Sequence, residues 1–295
     1  MDIRAIFMGL AFALMWSSAF TSARIIVADA PPLYSLALRF FISGLIGVAI
    51  AKALGQNWRL TRGQWKAVLV FGICQNALYL GLNFVAMQWI EASLAAIIAS
   101  TMPLMVAFAG WALFGDRLRP MTALGLLAGV VGVALIMGVR MSGGVDLVGV
   151  ALCFIGAAAL TVATLAVRQA SAGGNLMMIV GLQMFVGSFV LFACALFLES
   201  PSFTPSLRLA AAFSYTVLVP GLLATWVWFA LVGRVGAVKA ATFHFLNPFF
   251  GVAVAAVLLG EALGWLDILG VVIITIGILA VQLSKTQPKQ LPTRI

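Results

Sequence analysis

The segment TFHFLNPFF, Thr242 to Phe250, sets the chain's only histidine, an asparagine and a proline within an otherwise apolar run. His244 and Asn247 stand i, i+3, so on a helix they share a face. Imidazole is the side chain whose ordinary titration lies near neutral pH, and a carboxamide offers both donors and an acceptor. A second group, Gln75, Asn76, Tyr79 and Asn83, sits in another apolar run. Positions 75, 79 and 83 follow i, i+4, i+8, which aligns three hydrogen-bonding side chains on one helical face. A third group is Trp16 with Ser17, Ser18 and Thr21. These are groups that bind. An enzyme needs a convergent acid, base or nucleophile, and none of the three groups supplies that set. No P-loop pattern for ATP occurs. Cys74, Cys153 and Cys194 lie singly in apolar runs and read as small buried hydrophobes, with no CxxC spacing. No cofactor and no metal is expected.

The elements that hold these groups follow from composition. The 295 residues are 64% hydrophobic and 8% charged, with a mean hydropathy of +1.16. Soluble domains carry roughly 25% charged residues, so the chain reads as a polytopic membrane protein. A helix needs about 20 apolar residues to cross a bilayer. Breaks at charge and Gly/Pro clusters predict ten spans: 5–27, 33–54, 67–88, 93–114, 121–139, 147–168, 176–198, 209–231, 238–259 and 266–284.

The net charge of +9 describes orientation. With a cytoplasmic N-terminus, 13 of the 17 basic residues fall on the inner side. The outer side takes Arg140 and Arg208, with Arg24 and Arg39 inside spans toward their outer ends. That asymmetry is the positive-inside signature; it places both termini in the cytoplasm and argues against a nucleic-acid partner. Ala28-Asp29-Ala30 resembles a signal-peptidase site, but the preceding apolar run exceeds a signal core and Pro31 opposes cleavage, so the first span is expected to be retained.

Polar groups inside a membrane are costly and invite a functional reading. All eight carboxylates fall at termini, loops or span ends, so a mid-membrane carboxylate relay for protons or sodium is absent and transport is expected to be secondary. The face of Gln75, Tyr79 and Asn83 lines a cavity or bonds a neighbouring helix. Trp16 stands at mid-depth, unlike Trp58, Trp65 and Trp89 at the interfacial belts; it stacks on a solute or packs. Trp226 and Trp228 remain ambiguous. Pro248 and Pro103 fall at mid-span, where each removes a backbone donor and kinks its helix, close to Ser100, Thr101 and Asn247. Asn247 is expected to meet solute, and His244 either does so or bonds a neighbouring helix. Arg24, Arg39 and Arg168 are explained by snorkelling or by pairing between helices; a gate is the alternative, with nothing in the sequence to support it.

The chain also repeats itself. A shift of 145 residues lays 90–136 on 235–281 without a gap, with Pro103 on Pro248, Gly115 on Gly260, Asp116 on Glu261, Gly125 on Gly270 and Gly132 on Gly277. A fainter echo at 144 puts Arg24 on Arg168. Five spans per half is an odd number, so the second half enters from the opposite side, which is the inverted-repeat plan of secondary transporters. Gly125, Gly129 and Gly132 recur at helical spacing and read as a close-packing face.

At this point the residues carry a resemblance. MWSSAF (15–20), PPLYSLALRFFISGLIG (31–47) and residues 92–136 resemble an EamA half-repeat of the drug/metabolite transporter superfamily, and residues 236–281 resemble its second copy. Within that superfamily the chain looks most like the YddG-type exporters of aromatic and other neutral amino acids. The resemblance implies an all-α membrane protein of two inverted five-helix repeats, 1–139 and 147–284, with a cytoplasmic tail at 285–295. It also implies a central cavity lined from both halves. One departure is Asp116, where the pattern usually shows Glu.

The expected protein is an inner-membrane monomer with lipid around it and a small, neutral organic solute as its ligand. Its solute site is expected among Trp16, Ser17, Gln75, Tyr79, Asn83, Ser100, Thr101, His244 and Asn247. In a cysteine-free background, a cysteine placed in 140–146 should react with an impermeant reagent from outside, while one in 55–66 should not. The opposite labelling pattern overturns the topology.

Overall fold

The computed structural model describes residues 3–115, 119–166, 175–235, 240 and 242–286. All regular structure among them is helical, as the chemistry of a hydrocarbon solvent demands: a helix satisfies its backbone polar groups within itself. The helices are α1 (Ile3–Asp29), α2 (Pro32–Ala53), α3 (Arg62–Ala86), α4 in two pieces (Ala92–Ser100 and Met102–Phe114), α5 (Pro120–Ser142), α6 (Leu147–Ala166) and α7 (Leu176–Leu198). They continue with α8 (Leu207–Thr216 and Ala224–Val235, joined by one π-helical segment), α9 (Thr242–Leu246, a 3-10 turn, then Asn247–Leu259) and α10 (Trp265–Thr286). Nine are long and apolar enough to span a membrane; the apolar stretch of α9, Phe243–Leu259, is shorter, because 236–239 and 241 fall outside the described residues.

Helix starts were partly legible as chemistry. Thr61 and Gln64 form a reciprocal capping box, so α3 begins several residues before the apolar run expected at 67. Ser206 caps α8 by accepting from the Leu209 amide. Carboxylates serve other helices in the same way. Glu199 accepts from the amides of Leu33 and Tyr34 at the start of α2, and Glu261 accepts from those of Ala92 and Ser93 at the start of α4. A helix N-terminus presents unpaired amides and a partial positive charge. The acid that follows the repeated glycine in the second half is therefore a cap delivered across the molecule. Its counterpart Asp116 lies outside the described residues.

Duplication is written in the backbone. Thr101 (φ −75°, ψ −11°) breaks α4, and Leu246 (φ −84°, ψ −12°), 145 residues later, breaks α9. A 13-residue helix follows each break, and each ends on a left-handed glycine, Gly115 at φ 65° and Gly260 at φ 67°. Pro103 and Pro248 therefore do not kink continuous helices. Each stands in the first turn of a new piece, where an amide would lack an intrahelical partner in any case. The repeat extends to a feature that residue types did not announce: α3 turns π-helical over Phe71–Leu80, and its counterpart α8 does so over Val217–Leu223.

Packing repeats too. α1 packs on α8 and α9 as α6 packs on α3 and α4, and α4 meets α9. Helices that correspond between halves pack on each other, α2 on α7 and α5 on α10. At the second seam, Gly125 faces Gly277 and Gly132 faces Gly270. The 145-residue shift exchanges those two contacts, as expected around a two-fold axis. Outward, α5 shows Leu124, Leu127 and Val130, the apolar face lipid requires. Cys153 is buried as expected, but Cys194 is exposed on the outer surface of α7.

Without a hydrophobic drive between helices in lipid, such glycine seams supply the attraction through close approach. A methyl added at Gly277 would sit 2.7 Å from the Gly125 carbonyl oxygen and 3.1 Å from the Gly129 amide nitrogen. Both are backbone and cannot swing aside. Gly277→Ala should therefore destabilise the protein by about 1–3 kcal/mol, read as a lower melting temperature and lower folded yield in detergent. Gly138→Ala, with nothing within 4 Å of the new methyl, should change neither.

Candidate functional site

Four rings converge where α1, α8 and α9 meet. Phe12 lies 5.7 Å from Trp16 and 4.8 Å from Trp228, centroid to centroid. His244 stands edge-on to Phe12 at 5.3 Å and tilted against Trp228 at 5.2 Å. The residues at 12 and 16 are one helical turn apart, so α1 delivers both from one face. The 3-10 turn Thr242–Leu246 delivers His244. Phe12 is 2% exposed, whereas Trp16 and His244 are half-buried. The cluster is thus packed at its centre and open at its edge.

Asn247 completes it. Its amide nitrogen lies 3.0 Å from His244 Nδ1, while its Oδ1 is buried with no partner. Exchanging the amide's oxygen and nitrogen would leave the nitrogen end spare instead. Either way one polar end of Asn247 is uncommitted. His244 finds this partner three residues along its own chain rather than on a neighbouring helix. Ser17, beside the crossing of α1, α4 and α9 at Gly251 and Ala96, is fully buried with an unpartnered hydroxyl. Burying such a group without a partner costs about 1–3 kcal/mol, a cost that a solute or water offsets.

The α3 group is arranged differently. Within the π segment each turn takes in more residues than the α-helix's roughly 3.6, so the i, i+4, i+8 alignment of Gln75, Tyr79 and Asn83 no longer holds as drawn. Asn83 donates to the Tyr79 carbonyl at 2.7 Å and faces Gly156 of α6; its Oδ1 is unpartnered. Tyr79 is buried and Gln75 half-buried. Asn76 donates to the Gln183 carbonyl of α7 at 3.0 Å, a bond between helices. The hydroxyls of Ser100 and Thr101 donate to carbonyls of their own helix, those of Ala96 and Ile98, which leaves them only lone pairs to offer. The repeat makes α3–α6–α4 the counterpart of α8–α1–α9, so the two candidate groups occupy equivalent corners of the two halves.

Two clefts, of about 680 Å³ and 840 Å³, open elsewhere. The first lies around the α1–α2 connection and Glu199, the second between α2, α7 and α8. Neither is lined by a residue of the aromatic cluster or of the α3 group. Trp226, ambiguous in the sequence, is 64% exposed, while Trp228 belongs to the cluster. Among the arginines, Arg24 donates to the Met87 carbonyl, a pairing between helices. Arg168 lies outside the described residues. Arg39 corrects the sequence reading: it is only 6% exposed, its Nε has no partner, and no carboxylate of the described residues reaches it. Among the described residues it pairs with no carboxylate, and its burial leaves little of it at a surface.

Phe12, Trp228 and Arg39 were missed as site residues. A sequence signal existed for the first, since it precedes Trp16 by one turn. None existed for Trp228, whose placement depends on the π segment before it.

Comparison with known proteins gives the family. The EamA-like transporter family matches twice, over residues 3–138 and 147–283. The uncharacterized transporter YvbV of Bacillus subtilis is 28% identical over 282 residues, covering 93% of this chain and 90% of that one. The aromatic amino acid exporter YddG of Ancylobacter novellus is 31% identical over 139 residues, covering 47% of this chain and 48% of that one. A solved crystal structure superimposes with a TM-score of 0.67 at 21% identity, covering 96% of this chain and 98% of the other; this likeness concerns the fold.

The ring cluster can be tested by contrast within one helix. An aromatic contact is worth about 1 kcal/mol beyond its buried area. Trp228→Ala should therefore raise the half-saturating concentration of a transported solute roughly fivefold or more. Trp226→Ala, on the outer surface, should leave it unchanged. Equal effects would mean that the cluster only packs.

Proposed function

The chain belongs to the EamA-like transporter family, and from that footing we propose that it exports small organic metabolites of zero net charge, aromatic and other apolar amino acids first. The observation that supports this reading best is the cluster of Phe12, Trp16, Trp228 and His244 beside the uncommitted amide of Asn247, next to the break in α9. Rings offer stacking and apolar contact to a side chain, and a broken helix offers backbone polar groups at the same depth. The partial likeness to an aromatic amino acid exporter points the same way.

The proposed mechanism is alternating access in a monomer of the inner (plasma) membrane. Two alike halves can exchange conformations, so inward-open and outward-open forms lie close in energy. Ten spans as two inverted repeats, with both termini cytoplasmic, follow from the charge asymmetry and the odd number of spans per half. Ser17 and Asn83, each with an unpartnered polar atom, sit at equivalent corners and suit the role of solute ligands from opposite sides. Gln75, Tyr79, Ser100 and Thr101 are proposed to shape the space between them. No enzymatic step is proposed, since the cluster has no nucleophile activated by a base.

Energy coupling decides between two versions. Five of the described carboxylates are engaged at helix ends: Asp146 with the Gly149 amide, Asp267 with the Gly264 amide, Asp29 with the Ser206 hydroxyl, and Glu199 and Glu261 as caps; Glu91 immediately precedes α4. His244 is therefore the proposed proton carrier if one exists. The favoured version is facilitated export down the solute's own gradient. The rival is a proton-coupled carrier, exporter or importer, working through His244. In proteoliposomes, solute should cross down its gradient without a pH step, and His244→Gln should keep most of that flux. Uphill accumulation driven by a pH step and abolished by His244→Gln, with downhill flux intact, would establish the rival.

A further inference from the structure

The two halves place corresponding crevices at the seams α3–α7 and α8–α2, and the residues that line them differ. At the first, Asn76 of the α3 π segment packs against Gly187 and gives its amide to the Gln183 carbonyl. At the second, the corresponding positions are Gly221 of the α8 π segment, Ser43 in place of Gly187, and Arg39 in place of Gln183. A carbon added to Gly221 would sit 3.1 Å from the Thr216 carbonyl oxygen, 3.6 Å from Ser43 Oγ and 3.9 Å from Arg39 Nη2. The asparagine side chain of the first crevice is therefore missing from the second, where a hydroxyl and a guanidinium stand against the glycine.

That guanidinium is in an unusual position. Arg39 is two helical turns inside α2, 6% exposed, with Nε unpartnered, and the Ser43 hydroxyl beside it is buried and unpartnered as well. The nearest aromatic face, Phe40 at 5.2 Å, offers only a weak attraction. A buried charge without a counter-charge is strongly unfavourable, and charges at membrane depth are rare outside functional paths. The α1 side of the crevice is polar too: the Thr216 hydroxyl donates to Ser22, and Ser18 bonds Tyr215. A planar guanidinium matches a carboxylate through two parallel hydrogen bonds, and Ser43 can donate a third.

The geometry points to Arg39 and Ser43, beside Gly221, as an anion subsite that takes the carboxylate of the transported solute. This deepens the amino-acid reading and rests on it. It also sharpens the expectation of a small neutral solute: an amino acid of zero net charge is zwitterionic, and one of its two charges is met here.

The experiment measures thermal stabilisation of the detergent-purified protein by phenylalanine, phenylalanine amide, phenylacetate and inorganic phosphate, alongside phenylalanine flux in proteoliposomes. Wild type should bind the two carboxylates roughly tenfold or more tightly than the amide, the scale of a charge-assisted pair. Arg39→Gln should erase that preference, and Arg39→Lys should retain part of it. If Arg39→Gln does not fold, Gly221→Ala serves: it keeps the charge and sets a methyl against Ser43 Oγ and Arg39 Nη2, and it should weaken carboxylate binding selectively. Acid-over-amide preference that survives Arg39→Gln, or carboxylate binding untouched in Gly221→Ala, overturns the subsite. So does stabilisation by phosphate alone, which would indicate a site for phosphate or a lipid headgroup. Phenylacetate binding that needs Arg39, without phenylalanine flux, supports the subsite and sinks the amino-acid reading. Flux with an Arg39-independent preference does the reverse.

Discussion

Inside a bilayer no water is at hand to accept an orphaned backbone group, and that constraint governs this molecule. It explains why the described structure is helical throughout, and it explains the helix ends. Glu199 and Glu261 reach helices distant in sequence to occupy their first amides, so two of the few carboxylates of an apolar chain serve as caps. It also limits where helices can break. α4 and α9 interrupt at Thr101 and Leu246, in positions surrounded by other helices, and Ser100 and Thr101 turn their hydroxyls back onto their own carbonyls.

The same constraint makes the few uncommitted polar atoms informative. Ser17, Asn83, Asn247, Ser43 and Arg39 each hold a buried atom without a partner. Thr21, Ser93 and Thr275 hold such atoms as well, so an unpartnered atom marks a candidate for a polar contact and not a site by itself. Ser17 and Asn247 border the α1–α8–α9 corner, Asn83 lies in the corresponding α3–α6–α4 corner, and Arg39 and Ser43 adjoin the π segment of α8.

Near-symmetry and its failures then divide the labour. The glycine seam of α5 and α10 and the paired breaks of α4 and α9 repeat closely, and these elements give the halves a common geometry. The ring cluster and the Arg39 crevice appear once each, and both lie along α8 and α1. A substrate is not two-fold symmetric, so a site that recognises it must depart from the repeat that carries it. The π segments sit where that departure occurs. Their i→i+5 bonding re-aims side chains within a helix that otherwise follows its counterpart.

The sequence by itself determined the class of the protein: apolar spans, the asymmetry of basic residues and a 145-residue repeat need only composition and spacing. It also picked out His244, Asn247 and Trp16, because polar or bulky residues at mid-depth are costly enough to be conspicuous. The membrane-spanning helical class and the two-copy repeat are legible in this way because hydrophobic burial acts residue by residue and duplication leaves its spacing in the chain; the asymmetry of basic residues supports the proposed orientation. Tertiary structure alone decided the rest. The face shared by Gln75, Tyr79 and Asn83 assumed an α-helical period that the π segment alters, and Trp228 entered the site only because α8 carries the matching segment. Pro103 and Pro248 read as kinks but begin new helices. Arg39 looked like a residue near a span end, and only packing against Gly221 and Ser43 made it a buried, unmatched charge. Helix period, register and partner identity are set by contacts between segments distant in the chain, which a local pattern of residues cannot encode.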